Sequence, residues 1–295
     1  MTWNIRFGHK EDWRGWIEMT INRSRFRSQF GNLDLEDLTN FDCVVPLQLA
    51  DYAALQNKNN EGFLGQKFWS PNPNVVDLCD DKLVLNRFLL GGEFAQLVPP
   101  LRESNNSHFP YIVKKRRDTW GQNSFIVRNA EDERALATTL QSPEYFCQTY
   151  ISGAEEFALH MLLINNEVVY AKTIKHEMQN DYCVMGARNK SRMTYLEKSE
   201  HLAIFSRILA GLGFTGTCCI NYKMHNGLPM LFEINPRFGA SLSGDINRYL
   251  EAYLISLGVV AGITRVYWVA RRHARNAHRL GGRLVKSVNP RSSRV

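Results

Sequence analysis

The sequence predicts a mixed α/β protein, and three observations carry that expectation. The stretch "GTCCINYKMHNGLPMLFEINPR" (216–237) reads as two strands joined at "HNG", since an Asn-Gly pair is a strong hairpin signal. Strands at 157–164 and 167–173 join at Asn165-Asn166, and a helix at 197–210, ended by Gly211 and Gly213, lies between the two pairs. Nearer the start, "NFDCVVPLQLADYAAL" (40–55) reads as a buried-type strand, Cys43 to Leu47, turning into a helix near Asp51.

The whole chain sets outer bounds. At 295 residues it forms one large domain or two to three lobes around separate cores. An apolar content of 44% with 11% aromatics belongs to a folded, soluble protein. The opening "MTWNIRFGHKEDWRGW" has no apolar signal core, so no secretory peptide is expected. Six cysteines (43, 79, 147, 183, 218, 219) form no CxxC pair and lie mostly in apolar strands, which suits a reduced, cytoplasmic protein. The eight histidines show no HExxH spacing, and His160, inside an apolar strand, reads as a core residue.

Charge is uneven. Residues 265–295 hold nine Lys/Arg and no Asp/Glu, so the net +7 less nine leaves residues 1–264 at −2. Such a basic tail either touches anionic lipid or nucleic acid or is a solvated helix and frayed end; the solvated reading is preferred, and no nucleic-acid partner is expected. The uncharged run 252–264 is too short to span a membrane and reads as a packed helix closing the last lobe, with no transmembrane segment. The Gly258 and Gly262 spacing within it raises a homodimer contact.

Chemistry concentrates in "MLFEINPRFGAS" (230–241). On a strand, Glu233 and Asn235 share one face, next to the stop at Pro236. A carboxylate beside a carboxamide oxygen suits Mg²⁺ or Mn²⁺ rather than zinc. Arg237 follows with a planar cationic fork that matches a phosphate, and Asn221, on the first strand of the hairpin, could project toward the same metal. The competing reading is an edge strand with a solvated Glu and a turn at Asn-Pro.

"FEINPRFGAS" resembles the metal-binding hairpin of ATP-grasp enzymes, the superfamily of carbamoyl-phosphate synthetase and many carboxylate–amine ligases. Other stretches are similar to family elements in the expected order. "CDDKLVLNRFLLGGEFAQLVPPL" (79–101) resembles the helix start that carries a phosphate-side lysine, here Lys82. "FPYIVKKRRDTWGQNSFIV" (109–127) resembles the strand, small-residue loop and return strand that carry the second ATP lysine, Lys114. Alone, Lys114 beside Lys115, Arg116 and Arg117 would read as a snorkelling edge lysine. "YFCQTYISGAEEFALHML" (145–162) resembles the segment between the lobes. There the resemblance implies Gln148 and the backbone at Ile151 for the adenine edge, and Glu155 or its neighbour Glu156 for the ribose.

The resemblance runs from about residue 79 to about 250 and implies an ATP-grasp fold, two α+β lobes gripping ATP behind a short α/β N-terminal domain. The expected divisions are 1–75 for that domain, with a linker at 69–78, then 76–150 and 151–264 for the lobes, and 265–295 for the basic tail. It also implies an ATP-dependent ligase joining a carboxylate to an amine or ammonia through an acyl phosphate. In that reaction Glu233, Asn235 and Asn221 hold Mg²⁺ (or Mn²⁺), and Lys82, Lys114 and Arg237 act in catalysis. Lys172, Lys175, His176 and Arg188, within "KTIKHEMQNDYCVMGARNKSRM" (172–193), are candidates for clamping the substrate; a solvated basic loop is the other reading. Two departures stand out: Asn221 replaces what is often an acid, and "RDTWGQNS" (117–124) has a single glycine, with Trp120 in the loop. They motivate the alternative of an ATP-binding regulatory or scaffold protein without turnover.

Overall fold

A computed structural model describes residues 1–35, 37–60, 67–102, 108–186 and 189–260. The chain opens with β1 (Trp3–Phe7), α1 (Glu11–Thr20), β2 (Phe26–Phe30), β3 (Cys43–Val45) and α2 (Leu49–Asn60). The three strands form a parallel sheet in the order β2-β1-β3. β3 is buried along its whole length, as a strand covered on both faces must be. On α1, Trp13 and Ile17 are one helical turn apart and both point into the core, while Trp16 and Met19 stay exposed. That core also takes Phe238, Tyr249 and Tyr253 from the other end of the chain, so the N-terminal layer is packed against the end of the fold.

Next come α3 (Pro73–Asp80) and α4 (Lys82–Leu90). The linker expected at 69–78 is therefore helical from Pro73 onward. Asn72 caps that helix by accepting from the Asn74 N–H, and Pro73 sits in the first turn, where its missing N–H costs nothing. Asp81 caps α4 through the N–H groups of Leu83 and Val84, which places Lys82 at the first helical position.

A second, antiparallel sheet is built from β4 (Tyr111–Lys115), β5 (Ser124–Val127), two short helices α5 (Ala130–Ala135) and α6 (Ala137–Gln141), and β6 (Tyr145–Thr149), in the order β5-β4-β6. It is tied to α4 by the Lys82 N–H on the Arg116 carbonyl (2.9 Å) and by the Arg116 fork on Asp81 (2.6 Å).

The third sheet is antiparallel, in the order β11-β10-β7-β8-β9. Its strands are β7 (Glu155–Ile164), β8 (Glu167–Glu177), β9 (Arg192–Tyr195), β10 (Gly216–His225) and β11 (Leu228–Asn235), with α7 (Leu202–Gly211) preceding β10. Both expected hairpins form, and their turn residues have positive φ: Asn165 and Asn166 (51° and 63°), Asn226 and Gly227 (49° and 76°). Two successive left-handed residues match the twist of the flanking strands. α8 (Ile246–Ser256) closes the described chain. It begins earlier than the uncharged run suggested, because its outer side carries Arg248 and Glu251, and it ends before Gly258, whose φ is 75°. The end of that run (261–264), Gly262 and the tail 265–295 lie outside the described residues. No helix among the described residues is long and apolar enough to cross a membrane.

Candidate active site

Strand alternation builds the site. Ala158 and His160 on β7 pair with Asn221 and Cys219 on β10, Glu156 and Lys223 follow on the same face by strand alternation, and Asn221 pairs in turn with Glu233 on β11. The side chains of one face thus form a polar surface, while Phe157 and Tyr222 stack on the opposite, apolar face. A β-bulge at Asn221/Tyr222 lies beside this cluster.

A continuous chain of contacts crosses that surface. Asn221 Nδ2 reaches Glu156 Oε1 at 3.5 Å, and Asn235 Nδ2 donates to Asn221 Oδ1 (3.3 Å) and Glu233 Oε1 (2.9 Å). Glu233 Oε2 then meets Lys82 Nζ at 3.3 Å, and that ammonium also donates to the Asp118 carbonyl at 2.9 Å. Lys82 and Lys114, from α4 and β4, are each 8% exposed, so two cations are held against the acidic face of another sheet.

Electrostatics follows from this crowding. Burial works against the Glu233 carboxylate, but Lys82, the Asn235 hydrogen bond and Lys114 outweigh it and hold its pKa below the usual range. Burial depresses Lys114 to about 8 against the pull of Glu233, with Lys82 adding to the depression. Burial also pushes Glu156 up to about 7, opposed by Lys223 and reinforced by Glu233. A carboxylate and two carboxamides are a donor set that suits a hard dication with waters or phosphate oxygens as its other ligands, and here Asn235 turns its Nδ2 toward Glu233 and Asn221 and its Oδ1 toward Arg237 (3.4 Å). Among the described residues no group of three or more His, Cys, Asp or Glu could hold a metal.

Arg237 lies past Pro236, with its guanidinium 5.2 Å from the Trp13 ring centroid and donating to the Phe238 carbonyl (3.1 Å). No carboxylate pairs with it among the described residues. A cavity of about 250 Å³ opens in front of it, lined by Lys10, Trp13, Lys82, Trp120, Glu233 and Asn235 among others. The 116–124 loop reaches this cavity and packs on the segment before Asn189. A Cβ on Gly186 would overlap the Trp120 carbonyl, and one on Gly121 would come within 2.8 Å of the Met185 carbonyl.

Several sequence expectations need correction. Glu155 points to the opposite face, 53% exposed and paired with Lys175 at 2.8 Å; the acid on the polar face is Glu156. Lys175 is likewise on the outer face, between Glu155 and Glu177. It was grouped with Lys172, but three residues along a strand reverse the face. Lys172 lies on the polar face, opposite His160 and 6.0 Å from the Tyr195 ring, as does His176, opposite Glu156. Arg188 lies outside the described residues. Gln148 is not a free adenine-edge donor: both amide protons are committed, to Asn86 Oδ1 (2.5 Å) and the Pro99 carbonyl (2.8 Å). Its Oε1 accepts from Lys114 Nζ at 3.4 Å, so its side chain steadies the lysine. The Ile151 N–H and C=O make no backbone hydrogen bond among the described residues.

Other residues had no sequence signal singled out. Lys223, buried and donating to the Gly153 carbonyl (2.7 Å), shares the face of Asn221 two residues away, so strand period could have found it. Lys10 and Trp13 belong to no motif and reach the cavity only through the packing of α1.

The model of the ATP-grasp domain family matches residues 79–241, more than half of the chain, and this protein belongs to that family. No curated protein sequence matches it. Among solved structures it is similar to D-alanine–D-alanine ligase from Bacillus anthracis, at 14% identity and TM-score 0.58, covering 92% of this chain and 99% of that one. The same enzyme complexed with ATP matches at 13% identity and TM-score 0.57, covering 87% and 97%. N5-carboxyaminoimidazole synthetase from Staphylococcus aureus complexed with ADP matches at 15% identity and TM-score 0.57, covering 80% and 71%. At such identities the likeness is one of fold.

Proposed function

We propose that this protein is a Mg²⁺- and ATP-dependent ligase that joins a carboxylate to an amine or ammonia through an acyl phosphate. The observation that carries this reading is the convergence of Lys82 and Lys114 on the Glu233, Asn235 and Asn221 set of a different sheet, with Lys82 3.3 Å from Glu233. The family and the ligases among its structural neighbours support the same class. In this reading residues 76–150 and 151–264 are the two lobes that close on the nucleotide, and residues 1–75 present the acid. The six unpaired thiols suit a reducing, cytoplasmic setting.

Glu233, Asn235 and Asn221 would hold Mg²⁺ (or Mn²⁺), which supplies charge neutralisation on the nucleotide phosphates when bound. Lys82 and Lys114 neutralise phosphate charge from the opposite side, and Gln148 keeps Lys114 in place. The free backbone groups at Ile151 read the adenine edge, and Glu156 takes the ribose hydroxyls. Arg237 presents its fork to the transferring phosphoryl group. A substrate carboxylate oxygen bonds to the γ-phosphorus as the bond to the β-phosphate oxygen breaks and ADP leaves. The amine then attacks the acyl carbon, loses a proton and displaces phosphate. The loop around Trp120, docked through Gly121 and Gly186, shields the acyl phosphate from water. No side-chain nucleophile takes part.

The test is ADP and phosphate release over a matrix of small acids with ammonia and amines. Release that requires both partners supports the ligase. Tight Mg·ATP binding with no release from any pair would instead mean a nucleotide-binding protein without turnover, the reading that Asn221 and the thin loop favour.

A further inference from the structure

Beside Arg237 the cavity has a cationic pole whose other member, Lys10, phosphoryl transfer leaves unassigned. It is built on Trp13, a buried residue of α1 whose ring packs against Phe238 with centroids 6.3 Å apart. Lys10 Nζ lies 5.4 Å from that ring and the Arg237 guanidinium 5.2 Å. One core-held indole therefore places two cations, from opposite ends of the chain, beside the same cavity.

Neither cation is strongly satisfied by the protein. Lys10 meets Asp12 at 3.4 Å, but the two side chains are 31% and 49% exposed, and such a pair contributes little. Arg237 donates to the Phe238 carbonyl (3.1 Å) and to Asn235 Oδ1 (3.4 Å) but has no carboxylate partner among the described residues. In the adjoining wall, the N–H groups of Leu47 and Gln48, just before α2, already donate to Asp51 at 2.8 and 3.1 Å, so those two do not compete for an anion. The cavity, about 250 Å³, also reaches Lys82 and Glu233, so a ligand spanning both poles is a small molecule.

We propose that the acid taken by this site carries a second anionic group and that Lys10 binds it. The substrate class is a small dianionic acid, with one carboxylate at Arg237 and the other at Lys10. Which carboxylate is phosphorylated rests on the ligase reading; the two-point binding does not.

The experiment saturates the full chain with Mg²⁺ and a nonhydrolysable ATP analogue. It is then titrated with succinate, glutarate, aspartate and glutamate and with one monomethyl ester of each, followed by calorimetry and tryptophan fluorescence. At least one diacid should bind about tenfold more tightly than its monoester, the scale of one charge-assisted contact. Lys10→Ala should collapse that ratio toward one, Lys10→Arg should keep most of it, and the analogue should bind all three proteins alike. Equal affinity for diacid and monoester, no binding of any diacid, or a ratio that survives Lys10→Ala overturns the proposal. Two-point binding without ADP release removes the ligase reading and leaves this inference standing. ADP release driven by monocarboxylates with a ratio of one does the reverse.

Discussion

Lys82 Nζ stands 3.3 Å from Glu233 Oε2, a contact between the first turn of α4 and the last turn of strand before Pro236, 151 residues apart in sequence. Glu233 also supports the charge of Lys114, which burial and Lys82 both depress. Replacing Glu233 by Ala removes the carboxylate proposed to hold the metal and leaves Lys114 supported by Glu156. Mg·ATP affinity should fall at least about tenfold, read by equilibrium binding with and without Mg²⁺. An unchanged affinity would mean the nucleotide metal lies elsewhere.

Arg237 separates catalysis from binding. Its fork faces the cavity without a carboxylate partner among the described residues, and in the proposed reaction it would meet the charge that builds up during transfer. Arg237→Ala should lower turnover at least about tenfold with little change in nucleotide affinity. Arg237→Lys should restore little of it, because a point charge does not replace a planar fork. Normal turnover in Arg237→Ala would assign this residue to the turn alone.

The two adjacent glutamates should behave oppositely. Glu156 belongs to the polar face and Glu155 to the outer ion pair with Lys175. Glu155→Ala should leave ATP-analogue affinity within about twofold, since an exposed pair is worth little. Glu156→Ala should weaken it about tenfold or more, the loss of a buried acceptor. Titrations of the two variants decide the assignment, and equal effects would contradict it.

Glu156 also sets a pH dependence. Its pKa rises to about 7 in the folded chain from an ordinary 4.5, so the native state holds a proton that the unfolded chain has lost between those values. Stability attributable to this group therefore falls as pH rises from 4.5 to 7, and the cost persists above 7. Glu156→Gln should raise stability at pH 8 by about 1–3 kcal/mol. At pH 4.5 it should change stability little. Denaturant melts at the two values check the sign, and a variant less stable at pH 8 would refute it.

What could be read from the sequence was whatever local pattern decides. Asn226-Gly227 specifies its turn, and period two then puts Glu233 and Asn235 on one face, where they are bonded at 2.9 Å. The same period says that Glu155 and Glu156 point opposite ways but not which faces inward, because that depends on what covers each face of the third sheet. Gln148 could not be read correctly, since its partner Asn86 lies 62 residues away on α4. Pro73 reads as a linker residue in the sequence because Asn72-Pro73 marks a turn and a helix start equally well. Lys10 and Trp13 were silent because only the packing of α1 against Phe238 and Tyr249 brings them to the cavity.

The most direct test of acyl-phosphate formation at the Lys82–Glu233 site is trapping with hydroxylamine. The protein, Mg·ATP and an acid that supports ADP release are mixed without amine, and hydroxamate is measured beside ADP. Hydroxamate should form in step with ADP and fall at least about tenfold in Glu233→Ala, the loss expected when phosphoryl-transfer electrostatics are removed. ADP formed without hydroxamate, or hydroxamate undiminished in Glu233→Ala, would contradict the account.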